Sequence, residues 1–183
     1  MIDLDECGIF VETCNRKNGK QYVGIRFNEP GPYSKSEKWN LLMAICGEDG
    51  RAPNNPSRRW TDIWVEGGTT VEKMMDFVRT ILDDIGPAAP GNWYCFTMDN
   101  LNSHRNIGVI NMIHTYGHGV VFRAPYYPID GPIEFVFNTL EARLRAKLYM
   151  IVCGATLILA LNQSIQGIDD FSPYFDNVGF TIP

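Results

Sequence analysis

Apolar runs bounded by turn residues predict several strands along the chain. The segment MIDLDECGIF is typical of a strand, YVGIRF (22–27) of a second extended piece, and WNLLMAICG (39–47) of a buried strand. RWTDIWVEG (59–67) alternates apolar and polar positions, as a half-exposed strand does. Because EDGRAPNNPSR between the last two strands is rich in turn residues, we expect them to form an antiparallel hairpin with a long loop.

Helical periodicity follows this hairpin. Thr69 and Glu72 have the spacing of a capping box, and Gly86-Pro87 is a stop signal. Between them, apolar residues recur on one helical face: Val71, Met74, Met75, Val78, Leu82 and Ile85. We therefore expect a helix whose methionine-bearing face packs into the core.

The second half of the chain alternates strands and helices. WYCFTMD predicts a strand with Asp99 at its carboxyl end, followed by a helix over about 105–116. A short strand, GVVFRA, and a helix over about 133–148 come next. Strands first and then alternating elements predict an α/β fold, a mixed sheet flanked by helices.

The carboxy-terminal part contains an uncharged segment, LYMIVCGATLILAL. It is shorter than the roughly 20 residues that a membrane-spanning helix needs. We therefore expect 148–166 to form an apolar carboxy-terminal helix that is buried in the protein, and no membrane partner.

Composition limits the class of protein. A chain of 183 residues with 45% hydrophobic and 20% charged residues is typical of one folded domain, 1–183. The net charge of −5 predicts that this segment alone holds DNA weakly. The five cysteines include no CxxC pair, which argues against a zinc site or a disulfide framework and favours a reducing compartment. No basic-then-apolar leader begins the sequence, so we expect no secretory signal.

Three acids, Asp5, Asp99 and Glu134, each end or follow an apolar stretch, where a charge is costly unless something offsets it. Sites in open α/β sheets form at the carboxyl ends of strands, so these acids are expected to share a cleft. Carboxylate oxygens suit Mg²⁺ or Mn²⁺, and two ions about 3.5–4 Å apart cut phosphodiesters. The simpler alternative is an Asp that forms a turn and a Glu that favours the helix dipole.

The motifs around these acids resemble the catalytic domain of mariner-type transposases, in the DDE endonuclease superfamily. That family has a strand ending in Asp-Glu, a strand ending in Asp-Asn with a nearby His, and a Pro-Tyr-x-Pro turn leading into Pro-Ile-Glu. The corresponding segments here are IDLDECGIF, MDNLNSH and APYYPIDGPIE. The 34 residues between Asp99 and Glu134 are a characteristic family spacing, and the similarity covers about residues 1–150.

The resemblance implies a ribonuclease-H-like fold with Asp5, Asp99 and Glu134 as the catalytic, metal-binding triad for two Mg²⁺ or Mn²⁺ ions. Asp3 is the competing first acid, but only Asp5 precedes the Glu-x-Gly-x-Phe pattern. The resemblance also implies auxiliary roles: Asn100 and His104 would shape the metal and phosphate environment, and Asp130 would position the third acid.

The chain departs from the family pattern around the third acid. Gly131 stands where the family usually has Asn, Phe137 where Trp is common, and Glu141 near a common lysine. These changes affect how the third acid is positioned. The family's amino-terminal helix-turn-helix modules are expected to be absent, since the sequence opens on the first catalytic strand.

The leading hypothesis is a metal-dependent DNA endonuclease and strand-transfer domain of a cut-and-paste transposase. The alternative is a decayed or domesticated fragment that only associates with DNA or protein, and a ribonuclease H is a third candidate. Expected partners are transposon-end and target DNA, with a homodimer as a candidate assembly, in the nucleus of a eukaryote or otherwise in the cytoplasm. Basic residues expected to contact DNA are Lys35, Lys38, Arg123, Arg143, Arg145 and Lys147.

Overall fold

A mixed sheet organises the part of the chain that the computed structural model describes, residues 1–10, 38–47, 57–65, 67–124 and 131–179. The strands of this part are Ile2–Phe10 (β1), Lys38–Cys46 (β2), Arg58–Val65 (β3), Cys95–Met98 (β4) and Gly119–Phe122 (β5). Its α-helices are Val71–Ile85 (α1), Ile107–Thr115 (α2), Pro132–Ala146 (α3), Gly154–Gln166 (α4) and Ser172–Asn177 (α5). The mixed sheet with flanking helices is confirmed.

The strand order is β3-β2-β1-β4-β5, which places β1 at the centre. β1 pairs antiparallel with β2, and β2 pairs antiparallel with β3, so the predicted hairpin is confirmed. On its other side β1 runs parallel to β4, which runs parallel to β5. The predicted extended piece 22–27 lies outside the described residues.

Each face of the sheet is covered by its own helices and its own hydrophobic core. Ile2 and Leu4 of β1 pack on the face shared with α1 and α2. Ile9 packs on the opposite face, shared with α3, α4 and α5. The alternating orientation of successive strand residues explains this division, because neighbouring side chains point to opposite faces.

Helix α1 begins one residue later than the capping-box spacing predicts. Thr70, and not Thr69, is the N-cap residue, and its side chain accepts a hydrogen bond from the N–H of Lys73 at 3.3 Å. Two adjacent threonines offer the same capping chemistry, and the one that caps is not the one at capping-box spacing from Glu72. The stop at Gly86 is confirmed, since this residue has φ of 73°, which favours glycine.

The predicted helix over 148–166 is wrong in its first third. A 3₁₀ turn covers Leu148–Met150, and α4 begins only at Gly154. The Thr156 hydroxyl accepts hydrogen bonds from the N–H groups of Val152 and Cys153, which fixes a new helix start. The short helix α5 is not predicted by the sequence patterns. In the described ranges no helix has the length and apolarity needed to cross a membrane.

Candidate active site

Strand β1 carries acids on both faces of the sheet. Asp3 and Asp5 lie on the face of Ile9 and α3, whereas Glu6 lies on the face of Leu4, α1 and α2. Asp3 is 0% exposed and Asp5 is 6% exposed. Two buried carboxylates on a central strand require positive charge or hydrogen-bond donors nearby.

Asp5 is held by a cation and a backbone amide. Arg123 Nη2 donates to Asp5 Oδ2 at 3.0 Å, and the N–H of Glu6 donates to Oδ1 at 2.8 Å. Burial raises the pKa of Asp5 to about 7 against the opposing charge of Arg123, and the charges of Asp99 and Glu134 add to the rise. Asp99 and Glu134 therefore both lie within electrostatic range of Asp5.

Asp99 directly follows β4 and is held by His104. His104 Nδ1 lies 2.5 Å from Asp99 Oδ1, and the N–H of Leu101 donates to the same oxygen at 3.0 Å. Burial by itself would raise the pKa of Asp99, but these hydrogen bonds and the positive charges of His104 and Arg123 outweigh it and lower the pKa. Asp99 is therefore ionised at neutral pH.

His104 is fully buried between two carboxylates. Its Nε2 lies 2.9 Å from Glu6 Oε2, opposite the contact with Asp99. Burial would lower the pKa of His104, yet the hydrogen bonds with Asp99 and Glu6 raise it to about 9. An imidazolium donates from both ring nitrogens, so His104 joins β1 to the end of β4 at neutral pH. The sequence motifs assigned a role to His104 but none to Glu6, although Glu6 belongs to the Asp-Glu motif of β1.

Glu134 lies in the first turn of α3 and is exposed. The helix begins at Pro132, which suits a first helical position because its missing N–H needs no partner there. The charge of Glu134 raises the pKa of both Asp3 and Asp5, which places its carboxylate near the buried acids of β1.

Besides His104, the residues predicted to have auxiliary roles are Asn100 and Asp130. Asn100 Nδ2 donates to the carbonyl oxygen of Arg123 at 2.5 Å and so ties the end of β4 to the end of β5. Asp130 lies outside the described residues, and its positioning role stays a prediction.

Asp3, the alternative candidate for the first catalytic acid, contacts Thr97, Ile133 and Arg123. Thr97 Oγ1 donates to its Oδ1 at 2.6 Å, the N–H of Ile133 donates to its Oδ2 at 3.0 Å, and Arg123 lies 3.6 Å away. Burial raises the pKa of Asp3, although these three partners oppose the rise. Both of its oxygens are occupied by the protein itself.

The donor set of the three predicted acids fits a hard divalent cation. Carboxylate oxygens are the ligands that Mg²⁺ and Mn²⁺ prefer. Because burial raises the pKa of Asp5, a bound cation would stabilise the ionised form of this carboxylate. In the described ranges, however, no three His, Cys, Asp or Glu side chains are already grouped as a metal site. The assignment of Asp5, Asp99 and Glu134 as ligands stays a prediction.

The basic residues expected to contact DNA lie in different surroundings. Arg123 is only 11% exposed at its side chain and belongs to the acid cluster. Arg143 donates to the carbonyl oxygen of Ser164 at 2.7 Å, and Lys147 donates to the Ser164 hydroxyl at 3.2 Å, so both tie α3 to α4.

The other basic residues predicted to contact DNA are Arg145, Lys38 and Lys35. Arg145 pairs with Glu141 on the surface of α3. Lys38 is exposed at the start of β2, and Lys35 lies outside the described residues. DNA contact by these residues stays a prediction.

The fold is similar to that of a mariner transposase, Mos1. A pre-cleavage Mos1 transpososome matches 97% of this chain and 51% of its own, with a TM-score of 0.70 and 14% identity. The Mos1 mariner paired-end complex with Mn matches 99% of this chain and 52% of its own, with a TM-score of 0.67 and 15% identity. The chain thus spans about half the length of the transposase chains in these complexes.

The separate catalytic domain of the Mos1 mariner transposase matches 97% of this chain and 74% of its own, with a TM-score of 0.60 and 16% identity. No protein-family model and no curated protein matches the sequence. The similarity is therefore one of three-dimensional structure. This chain has the ribonuclease-H-like fold of the mariner transposase catalytic domain.

Proposed function

We propose that this chain is the metal-dependent DNA endonuclease and strand-transfer domain of a cut-and-paste, mariner-type transposase. One observation supports this most: Asp5, Asp99 and Glu134 come from three separate elements, and both other acids raise the pKa of Asp5. These are the acids at which the sequence carries the family's three motifs. The fold alone would not distinguish a nuclease from a relic.

In the proposed reaction, water attacks a phosphodiester at the transposon end and releases a 3′-hydroxyl. That hydroxyl then attacks a phosphodiester of the target DNA. Each displacement forms one P–O bond as it breaks another, so no further energy source is needed. Two Mg²⁺ or Mn²⁺ ions held by Asp5, Asp99 and Glu134 would supply Lewis acidity and activate the attacking oxygen.

The chain's own residues prepare this site. His104 holds the Asp99 carboxylate at 2.5 Å and is itself held by Glu6, so Asp99 has little freedom to turn away. Arg123 offsets the charge of Asp5. Exposed Lys38 and Arg145 would give contacts with DNA phosphates that do not depend on base sequence. A DNA substrate would require the protein to act in the nucleus if the source is a eukaryote, and otherwise in the cytoplasm.

Nicking of supercoiled plasmid DNA in Mg²⁺ or Mn²⁺ tests the proposal. We expect the purified wild type to nick, and Asp99→Asn to lose the activity by about 10³-fold or more, since the variant keeps the side-chain shape but not the charge. Asp169→Asn, which changes an exposed Asp on the loop after α4, is the matched control and is expected to nick as the wild type does. Equal nicking by wild type and Asp99→Asn would contradict the proposal.

Two further measurements separate the alternatives. Calorimetric titration with Mn²⁺ should show binding that depends on the three acids, whereas a decayed fragment would show none. Cleavage of an RNA–DNA hybrid in preference to duplex DNA would favour a ribonuclease H instead.

A further inference from the structure

Asp3 is a fully buried carboxylate that the proposed reaction does not use. It lies two residues before Asp5 and on the same face of β1. Burying a carboxylate costs free energy unless its oxygens are satisfied, so its partners indicate what the protein gains from it.

The two oxygens of Asp3 reach two other elements. Thr97 Oγ1 of β4 donates to Oδ1 at 2.6 Å, and the N–H of Ile133 in α3 donates to Oδ2 at 3.0 Å. Thr97 lies two residues before Asp99, and Ile133 directly precedes Glu134. Asp3 therefore joins β1 to the two segments that carry the other predicted acids.

The start of α3 depends on this contact. Its N-cap residue is Gly131, which supplies no side-chain hydrogen bond to the helix. The free N–H groups of a helix start need acceptors, and a nearby negative charge is favoured by the helix dipole. Because Asp3 provides both from β1, the first turn of α3 is fixed to the sheet.

Arg123 connects Asp3 with Asp5. Its Nη2 donates to the carbonyl oxygen of Leu4 and to Asp5 Oδ2, both at 3.0 Å, and lies 3.6 Å from Asp3 Oδ1. The carbonyl oxygen of Arg123 accepts from Asn100, next to Asp99. Arg123, which directly follows β5, thus contacts Asp5 itself and also Asn100, the neighbour of Asp99.

Gly131 leaves room for this arrangement. A Cβ added there would lie 2.3 Å from Arg123 Nη1 and 2.9 Å from Asp3 Oδ2. The φ of Gly131 is −115°, a conformation open to any residue, so lack of space and not the backbone excludes a side chain. This accounts for glycine at a position where the family usually has Asn.

We propose that Asp3 and Arg123 are a positioning pair that holds Asp5, Asp99 and Glu134 in a fixed relation, with Gly131 as the space that admits them. This inference rests on the proposed function, which requires the three acids to be aligned. It makes Asp5, and not Asp3, a ligand of Mg²⁺ or Mn²⁺. Neither Asp3 nor Arg123 takes part in the bond-making steps.

Mn²⁺ titration separates positioning from ligation. We expect Asp3→Asn to weaken Mn²⁺ binding about 10–100-fold with the number of ions unchanged, as outer partners of metal ligands do. Asp5→Asn is expected to lose at least one ion, and Asp169→Asn to bind as the wild type does. Wild-type affinity in Asp3→Asn, or loss of an ion there while Asp5→Asn keeps it, would overturn the proposal.

A double-mutant cycle tests the role of Gly131. We expect Gly131→Ala to weaken Mn²⁺ binding about tenfold in the wild-type background and less than about twofold in an Arg123→Ala background, because the added methyl group then meets no guanidinium. Equal losses in both backgrounds would show that Gly131 does not serve Arg123.

Amide hydrogen exchange gives a measurement that needs neither metal nor DNA. In the metal-free protein, Asp3→Ala should speed exchange of the Ile133 amide about tenfold or more, and Asp169→Asn should leave it unchanged. Gly131→Ala, which displaces the pair but keeps both charges, should also speed it. If the wild type binds no Mn²⁺, the proposed function fails while this test still stands, and unchanged exchange in both variants would overturn the positioning role alone.

Discussion

Arg123 and His104 are two buried cations that each lie between a pair of carboxylates, on opposite faces of β1. Arg123 contacts Asp3 and Asp5, whose side chains are 0% and 9% exposed, whereas the partners of His104 are 21% and 37% exposed. A guanidinium stays charged at any pH that the protein survives, whereas an imidazolium titrates. Arg123 is thus a permanent cation between deeply buried carboxylates, whereas His104 is a titrating cation between carboxylates that are more exposed.

The largest expected effect on stability comes from removing Arg123. Arg123→Ala should lower the free energy of unfolding by about 3–5 kcal/mol, because two buried carboxylates lose their countercharge. Urea denaturation of the metal-free protein measures this. Arg79→Ala is the control, since its pair with Asp76 is exposed, and a loss within about 1 kcal/mol is expected. Similar losses in the two variants would remove the distinction between buried and surface pairs.

Adding Mn²⁺ should produce the next largest effect. At a free concentration about 100 times the Kd, an ion bound only by the folded state stabilises it by about 2.7 kcal/mol. Thermal unfolding should show the gain in the wild type and in Asp169→Asn, and not in Asp5→Asn or Asp99→Asn. An unchanged gain in Asp5→Asn would mean that the ion belongs to other residues.

Removing His104, whose carboxylate partners are more exposed, should cost less stability. His104→Gln keeps one donor, and we expect a loss of about 1–2 kcal/mol in urea denaturation. Its nicking rate should fall about 10–100-fold, since Asp99 loses its anchor. His114→Gln changes an exposed histidine of α2 and should have little effect on either measurement. A nicking rate that survives in His104→Gln would show that Asp99 needs no anchor.

The smallest expected effect is the pH dependence of the His104 contribution. The pKa of His104 in the folded metal-free protein is about 9, above its ordinary 6.5, so the contribution is complete below pH 6.5 and is lost as pH rises through 9. The stability gap between wild type and His104→Gln should therefore narrow from pH 6 to about pH 9.5. The difference in free energy of unfolding between wild type and Arg123→Ala should not become smaller over this pH range. A His104→Gln gap that stays constant would argue against a protonated His104.

Elements with one strong local pattern could be predicted from the sequence. β1, β2 and β3 follow their apolar runs, and α1 ends at Gly86 as its stop signal requires. The break before α4 could not be predicted, because the segment is apolar throughout and the side chain of Thr156 decides where the helix starts.

The residues of the candidate site also divide into those that local motifs predict and those that they do not. Its acids lie next to motifs that the sequence displays, and Asp5, Asp99 and Glu134 are close enough for both other charges to raise the pKa of Asp5. The pairing of Arg123 with the strand acids and the roles of Asp3 and Glu6 were not predicted, since their contacts join residues about 100 positions apart and depend on strand register.

The adjacent acids of β1 have a consequence for folding. Asp5 pairs with Met43 of β2 and Glu6 with Leu42, so each acid meets its own cation only in this register. A slip of one residue would turn Asp3 and Asp5 toward the apolar core of α1 and α2, away from Arg123, and would also exchange the apolar residues of the two cores. Mispaired chains would then bury charge without a matched partner, so the acids that form the candidate site also select the correct pairing of the central strand.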